Sequence, residues 1–260
     1  EMINSVLDIW KIVIQAIMFL VLWTAVFSVR KGKKDGIAAV LFILVNVGIG
    51  FLPCTAWVRY AVSAFAVLGY GGICYKKQIG KAVFTILAFY NLHCLSYLIA
   101  SSIYEKIINV MMKSLDIMQD NYLQEMYRCM AVGMFCLVFS YLVLLAVMTF
   151  ILRRIIKGVD IMAWQDVLLL SILNFVGSMI AGVVSGLLIA KAGRDAFVLF
   201  DEKPDLLWKI PVIAVLIFAG EVALIYFWQR YRILLAERQK HFVEEQQVKA
   251  MKKRLEEAEN

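Results

Sequence analysis

The stretch CMAVGMFCLVFSYLVLLAVMTFIL, residues 129–152, contains no charged residue. At a rise of ~1.5 Å per residue, a helix of this length crosses the ~30 Å hydrocarbon core of a bilayer. A helix that is apolar on every side has to be buried, in a large core or in lipid. The rest of the chain favours lipid. Of its 260 residues 62 % are hydrophobic and 18 % charged, with three prolines and a mean hydropathy of +0.78, whereas the apolar share of a soluble domain is nearer ~45–50 %. Working outward from 129–152, further apolar blocks run approximately over 9–28, 37–53, 57–75, 82–103, 163–190 and 210–228. The predicted fold class is all-α: a polytopic membrane helical bundle of about seven transmembrane helices, with six as the alternative because the 57–75 block is the weakest. A cytoplasmic coiled-coil helix follows. Two regions are expected, a multi-span membrane domain over 1–228 and a charged helix over 229–260.

The first block is of full spanning length and is followed, not preceded, by basic residues, so it is expected to be an anchor rather than a cleaved signal peptide. The chain starts at Glu1 and stops within a charged helical stretch at Asn260, and a longer parent protein is expected. The connections alternate in charge. Arg30, Lys31, Lys33 and Lys34, then Lys76, Lys77 and Lys81, then Arg153, Arg154 and Lys157 are basic clusters, whereas the intervening connections mix in Glu105, Asp116, Asp120, Glu125, Asp195, Asp201, Glu202 and Asp205. The positive-inside rule puts the basic clusters in the cytoplasm of a plasma-membrane protein, with the N-terminus outside and the C-terminus inside. The net charge of +7 then records topology and contact with membrane lipids, and calls for no nucleic acid.

The chemistry available in the chain is sparse. Five cysteines, Cys54, Cys74, Cys94, Cys129 and Cys136, lie in or at the ends of apolar blocks without metal-type spacing, so no metal is expected; a Cys54–Cys129 disulfide is the open alternative to free thiols. His93 and Cys94 are adjacent, about 100° apart on a helix, and cannot serve each other as base and nucleophile. Glu221 falls near the middle of the last block, where a charge costs ~2.5–3.5 kcal/mol on insertion scales. It is expected to be protonated or paired, with Asn46, Asn91, His93, Ser96, Tyr97 and Asn174 as candidate partners in an intramembrane polar cluster. Gly177, Ala181, Gly182 and Gly186 recur at four-residue offsets in GSMIAGVVSG (177–186), small residues that let helix backbones approach closely. Between the fourth and fifth blocks, apolar Ile107, Met111, Leu115, Met118, Tyr122 and Met126 predict an amphipathic outer helix over about 104–128. Met111, Leu115, Met118 and Tyr122, with Phe197 and Phe200 in a second outer segment, are the predicted ligand-contacting residues.

The chain ends on HFVEEQQVKAMKKRLEEAEN, residues 241–260, where Val248, Met251, Leu255 and Ala258 follow the three-four-three spacing of a coiled-coil seam. Glu245 with Lys249, Lys252 with Glu256 and Lys253 with Glu257 are opposite charges one turn apart, each supporting the helix by ~0.2–0.5 kcal/mol. Upstream, Leu235 and Phe242 fit a register shifted by one, a phase slip that locally unwinds or overwinds a coil. No glycine or proline interrupts residues 221–260. A multi-span membrane domain feeding EEQQVKAMKKRLEEAEN (244–260) resembles the sensor part of the peptide-pheromone histidine kinases of the accessory-gene-regulator type. The resemblance implies a homodimer that detects an extracellular peptide or other small ligand. It also implies a phosphoacceptor helix and an ATP-binding domain beyond Asn260, and a cytoplasmic response regulator as partner. No catalytic motif lies in these 260 residues, and no cofactor is expected in them; His241 is followed by FVEEQ and departs from the family's phosphoacceptor pattern. The reading from a different class is a small secondary transporter or channel using Glu221 and His93; a plain membrane scaffold ranks third.

Overall fold

The computed structural model describes residues 2–27, 33–51, 55–74, 79–115, 122–156, 164–202 and 206–259. Among them the chain is all-helical: α1 (Met2–Phe27), α2 (Lys33–Gly50), α3 (Ala56–Cys74), α4 (Ile79–Lys113), α5 (Tyr122–Ile156), α6 (Trp164–Glu202) and α7 (Leu206–Glu259). Each helix falls on one of the apolar blocks. Five of them, α1, α4, α5, α6 and α7, are long and apolar enough to cross a membrane, which marks the chain as membrane-embedded. The apolar stretches of α2 and α3 are shorter, Ile37–Gly50 and Val58–Gly69.

α4 is the hub, packing against α1, α3, α5, α6 and α7. Its Phe84, Ala88, Leu92 and Leu95 are wholly buried. The outer helices bury one side only. Phe135, Phe139, Val143, Val147 and Phe150 of α5 and Leu168, Ile172, Phe175 and Met179 of α6 form exposed apolar stripes at helical spacing, surface that a bilayer would cover. Lipid supplies little hydrophobic drive for helix association, so small residues and hydrogen bonds decide where helices meet. Glycines mark two of these contacts. A Cβ at Gly80 would sit 2.8 Å from Val167 of α6, and one at Gly133 would sit 2.7 Å from Ile108 and 2.9 Å from Tyr104 of α4.

The expected outer helix over 104–128 is divided between two longer helices. Residues up to Lys113 complete α4 and those from Tyr122 open α5, while the N–H groups of Ser114 and Leu115 turn back onto the carbonyls of Met111 and Met112. Ile108, 2 % exposed, packs with Tyr104 onto Gly133. These two are not the predicted stripe, whose Ile107, Met111, Leu115, Tyr122 and Met126 are half-buried at the end of α4 and the start of α5. The second outer segment is likewise part of a helix, α6 continuing to Glu202.

α7 is a single helix of 54 residues. Pro211 lies in its second turn, where the missing N–H forfeits one bond. Ile210, Ala214, Phe218, Glu221, Ile225 and Trp228 form its buried face. From Ala236 onward every described side chain is exposed.

Candidate functional site

Two polar clusters lie on different sides of α4. In the first, Asn91 Nδ2 donates to Glu221 Oε2 at 3.0 Å and to Asn174 Oδ1 at 3.3 Å, tying α7 and α6 to α4. All three side chains are 0–1 % exposed. Asn174 is itself held by donating to the Leu170 carbonyl at 3.0 Å. Gly177 makes room for the cluster: a Cβ there would lie 2.6 Å from Asn91 Oδ1 and 2.9 Å from Ile217 of α7. Glu221 Oε1 and Asn91 Oδ1 have no hydrogen-bond partner among the described residues, where the carboxyl is held by one amide.

In the second cluster, His93 Nδ1 lies 2.6 Å from the Tyr141 hydroxyl of α5, and Nε2 lies 2.5 Å from the Tyr60 hydroxyl of α3. Gln15 of α1 donates to Tyr141 Oη at 2.7 Å and approaches His93 Nδ1 at 3.4 Å. The two donors converging on Nδ1 favour the tautomer in which Nδ1 accepts and Nε2–H donates to Tyr60. The Tyr60 hydroxyl hydrogen is then left to donate elsewhere. Lys11 of α1 caps this chain, its Nζ 5.6 Å from the Tyr141 ring centre and 5.9 Å from that of Tyr97, within reach of the cation–π attraction of both rings.

His93 and Tyr60 form part of the wall of a cavity of about 720 Å³ between α1, α2, α3 and α4, within the size range of small-molecule sites. Its body is apolar, with Phe19, Phe42, Phe89 and Val67; Asn46 and Ser63 add a polar patch, and Asp8, Lys11 and Arg59 supply charge. Phe19 stands at the join, its ring 5.2 Å from Phe42 and 5.3 Å from Phe89. Ser63 donates to Asn46 Oδ1 at 3.1 Å, and Asn46 donates to the Phe42 carbonyl at 2.9 Å. Asn46 and His93 thus belong to the cavity side and do not meet Glu221, contrary to the single cluster expected from sequence. Helix geometry separates them: Asn91 and His93 are two residues apart, ~200° around α4 but only ~3 Å along it.

A third polar group lies where α7 leaves the bundle. Trp228 Nε1 donates to Asp166 Oδ1 at 2.8 Å, Arg232 pairs with Asp166 Oδ2 at 2.7 Å, and Gln229 Nε2 donates to the Ile155 carbonyl at 2.5 Å. α7 is therefore fastened to α6 and α5 just before its exposed tail.

Of the predicted ligand residues, Met111, Leu115 and Tyr122 are not among those lining the cavity. Met111 ends α4, Leu115 follows it and Tyr122 opens α5; Met118 lies outside the described residues, as do the side chains of Phe197 and Phe200. Of the small residues, Gly177 meets α4 and α7 within the chain and Ala181 is buried. Gly182 faces open space, and Gly186 has no described surroundings. Val248 and Met251 are exposed; the side chains of Leu255 and Ala258 are outside the described set. Cys94, Cys129 and Cys136 are free thiols, while Cys54 is outside the described residues. No group able to hold a metal occurs among the described residues. The residues missed from sequence are Lys11, Gln15, Arg59, Tyr60 and Tyr141. Lys11 and Arg59 carried a signal, being cations inside the first and third apolar blocks. No family model, curated protein or solved structure matches this chain.

Proposed function

We propose that this chain is the membrane sensor region of a two-component sensor histidine kinase. It receives an extracellular signal, a peptide by its resemblance to that family, in the cavity between α1 and α4 and passes it through α7 to a cytoplasmic kinase module. One observation carries the proposal. α4 bears the cavity wall on one side and, on the other, the one hydrogen-bond partner of Glu221 among the described residues, and Glu221 sits in the helix that runs unbroken to Glu259. A ligand that pushes His93 or Tyr90 shifts α4, and any rotation of α4 displaces Asn91 from the carboxyl. A packed helix moves as a body, so α7 turns or slides and carries the tail with it. The tail would act within a homodimer through Val248, Met251, Leu255 and Ala258, with N-terminus outside, C-terminus inside and a response regulator as downstream partner.

The test is histidine phosphorylation of the full-length gene product in lipid nanodiscs supplied with labelled ATP. The expected result is acid-labile phosphate on the protein, whose rate changes when a peptide fraction of the source culture is added. A Glu221→Leu variant should keep basal labelling and lose that response. Absence of any labelling overturns the kinase assignment, and measurable solute uptake into liposomes that vanishes in Glu221→Gln would replace it by the transporter reading.

A further inference from the structure

We infer that the cavity between α1, α2, α3 and α4 binds an amphipathic carboxylate, its acid group between Lys11 and Arg59 and its apolar body against Phe19, Phe42 and Phe89. This rests on the reading of the cavity as the place where the signal is received, and it says what chemistry the signal has.

Charge comes first. Lys11, Arg59 and Asp8 all line the cavity and leave one net positive charge, which a single carboxylate balances and a doubly charged phosphate would overshoot. Arg59 Nε is buried without a hydrogen-bond partner among the described residues. A buried guanidinium N–H left unmade is costly, and a carboxylate accepts it in the forked geometry that guanidinium groups favour. Tyr60, one residue along α3, has its hydroxyl hydrogen left over from the His93 contact and supplies a further donor.

Shape comes second. α1 runs against α4 in the opposite direction, since Gln15 meets His93 and Phe19 meets Phe89. Lys11 is therefore nearer one end of the bundle and Phe19 deeper, eight residues or ~12 Å further along the helix. An acid head at Lys11 and Arg59 thus places about 12 Å of apolar body beside the three phenylalanine rings. That body can be a medium-length acyl chain or the apolar end of a peptide with a free C-terminus, and the shared feature is the carboxylate.

The test uses no kinase readout, so its failure and that of the kinase assignment are separate. The protein in phosphatidylcholine nanodiscs is photolabelled with a diazirine-bearing decanoic acid, and the sites are mapped by mass spectrometry. Labelling is expected on α1, α2, α3 or α4 residues of the cavity. Competition by decanoate but not decanol, or by a short apolar peptide acid but not its amide, supports the proposal and identifies the source of the carboxylate. Lys11→Gln and Arg59→Gln should each weaken labelling about tenfold or more, whereas Lys11→Arg and Arg59→Lys, which keep the charge, should retain most of it. Ala64→Phe, which fills the cavity without touching a charge, should abolish it. Labelling outside the cavity, equal competition by the neutral analogues, or labelling unchanged in both charge-removing variants overturns the inference.

Discussion

Asn91 has to satisfy a buried carboxyl with one amide. Removing it in Asn91→Ala strands the Glu221 side chain, and a buried polar group left without a partner costs about 1–3 kcal/mol. Glu221→Leu combined with Asn91→Ala should recover much of that loss, because it removes the stranded carboxyl and leaves only the 3.3 Å bond to Asn174 Oδ1 unmade. Urea unfolding of the detergent-solubilised protein reads the difference, and a double variant no more stable than Asn91→Ala would refute the pairing. Gly177→Ala pushes a methyl to within 2.6 Å of Asn91 Oδ1, an overpacking cost of about 1–3 kcal/mol. Gly182→Ala, facing open space, should be silent in the same assay, although the two glycines look alike in sequence. At this scale the sequence identified the polar residues but not their partners. Glu221 and Asn174 stand out in apolar blocks whatever surrounds them. Which residue of α4 meets Glu221 depends on how that helix is rotated, and a hub packed on all sides offers no exposed face by which to read the rotation.

α7 joins the bundle to the tail, and its exit is fixed by Trp228, Gln229 and Arg232. Asp166 accepts from both Trp228 and Arg232, so Asp166→Ala removes two of the three ties at once. A spin label at Ala236→Cys should then gain mobility, while one placed deeper at Val222→Cys should not; equal mobility at both positions would show that the exit contacts do not restrain the helix. Further out, Val248 and Met251 are exposed, as seam residues of a coil must be in a single chain. Val248→Lys and Leu255→Lys should abolish cross-linking between tails if these positions form a seam. Helices were legible where apolar length or an uninterrupted run set them, as in α5 and α7. The 104–128 stretch was read as one helix, whereas it closes α4 and opens α5, because apolar spacing alone does not show where the chain turns. Gly133, on the next helix, turned out to be the partner of Tyr104 and Ile108.

The whole molecule places its cavity and its tail at different ends. Gly80 meets Val167, and Gln229 meets Ile155, so the starts of α4 and α6 and the end of α5 gather near the exit of α7. α1 runs antiparallel to α4, which carries Asp8 and Lys11 to the end away from Gly80, together with Gly50 and Arg59 of the same cavity. If the basic connections lie in the cytoplasm, as the positive-inside rule requires, the charged part of the cavity faces outward and the tail inward, the arrangement a receptor needs. In a cysteine-free background, Ser114→Cys should react with a membrane-impermeant maleimide on intact cells, and Glu245→Cys only after the membrane is permeabilised. The reverse pattern would invert the molecule and put the cavity's charged end in the cytoplasm, ending the case for an extracellular ligand while leaving the packing intact. Labelling of both positions from one side would mean that not all of α5, α6 and α7 span the bilayer, because each is long and apolar enough to cross and three crossings between residues 114 and 245 must separate them.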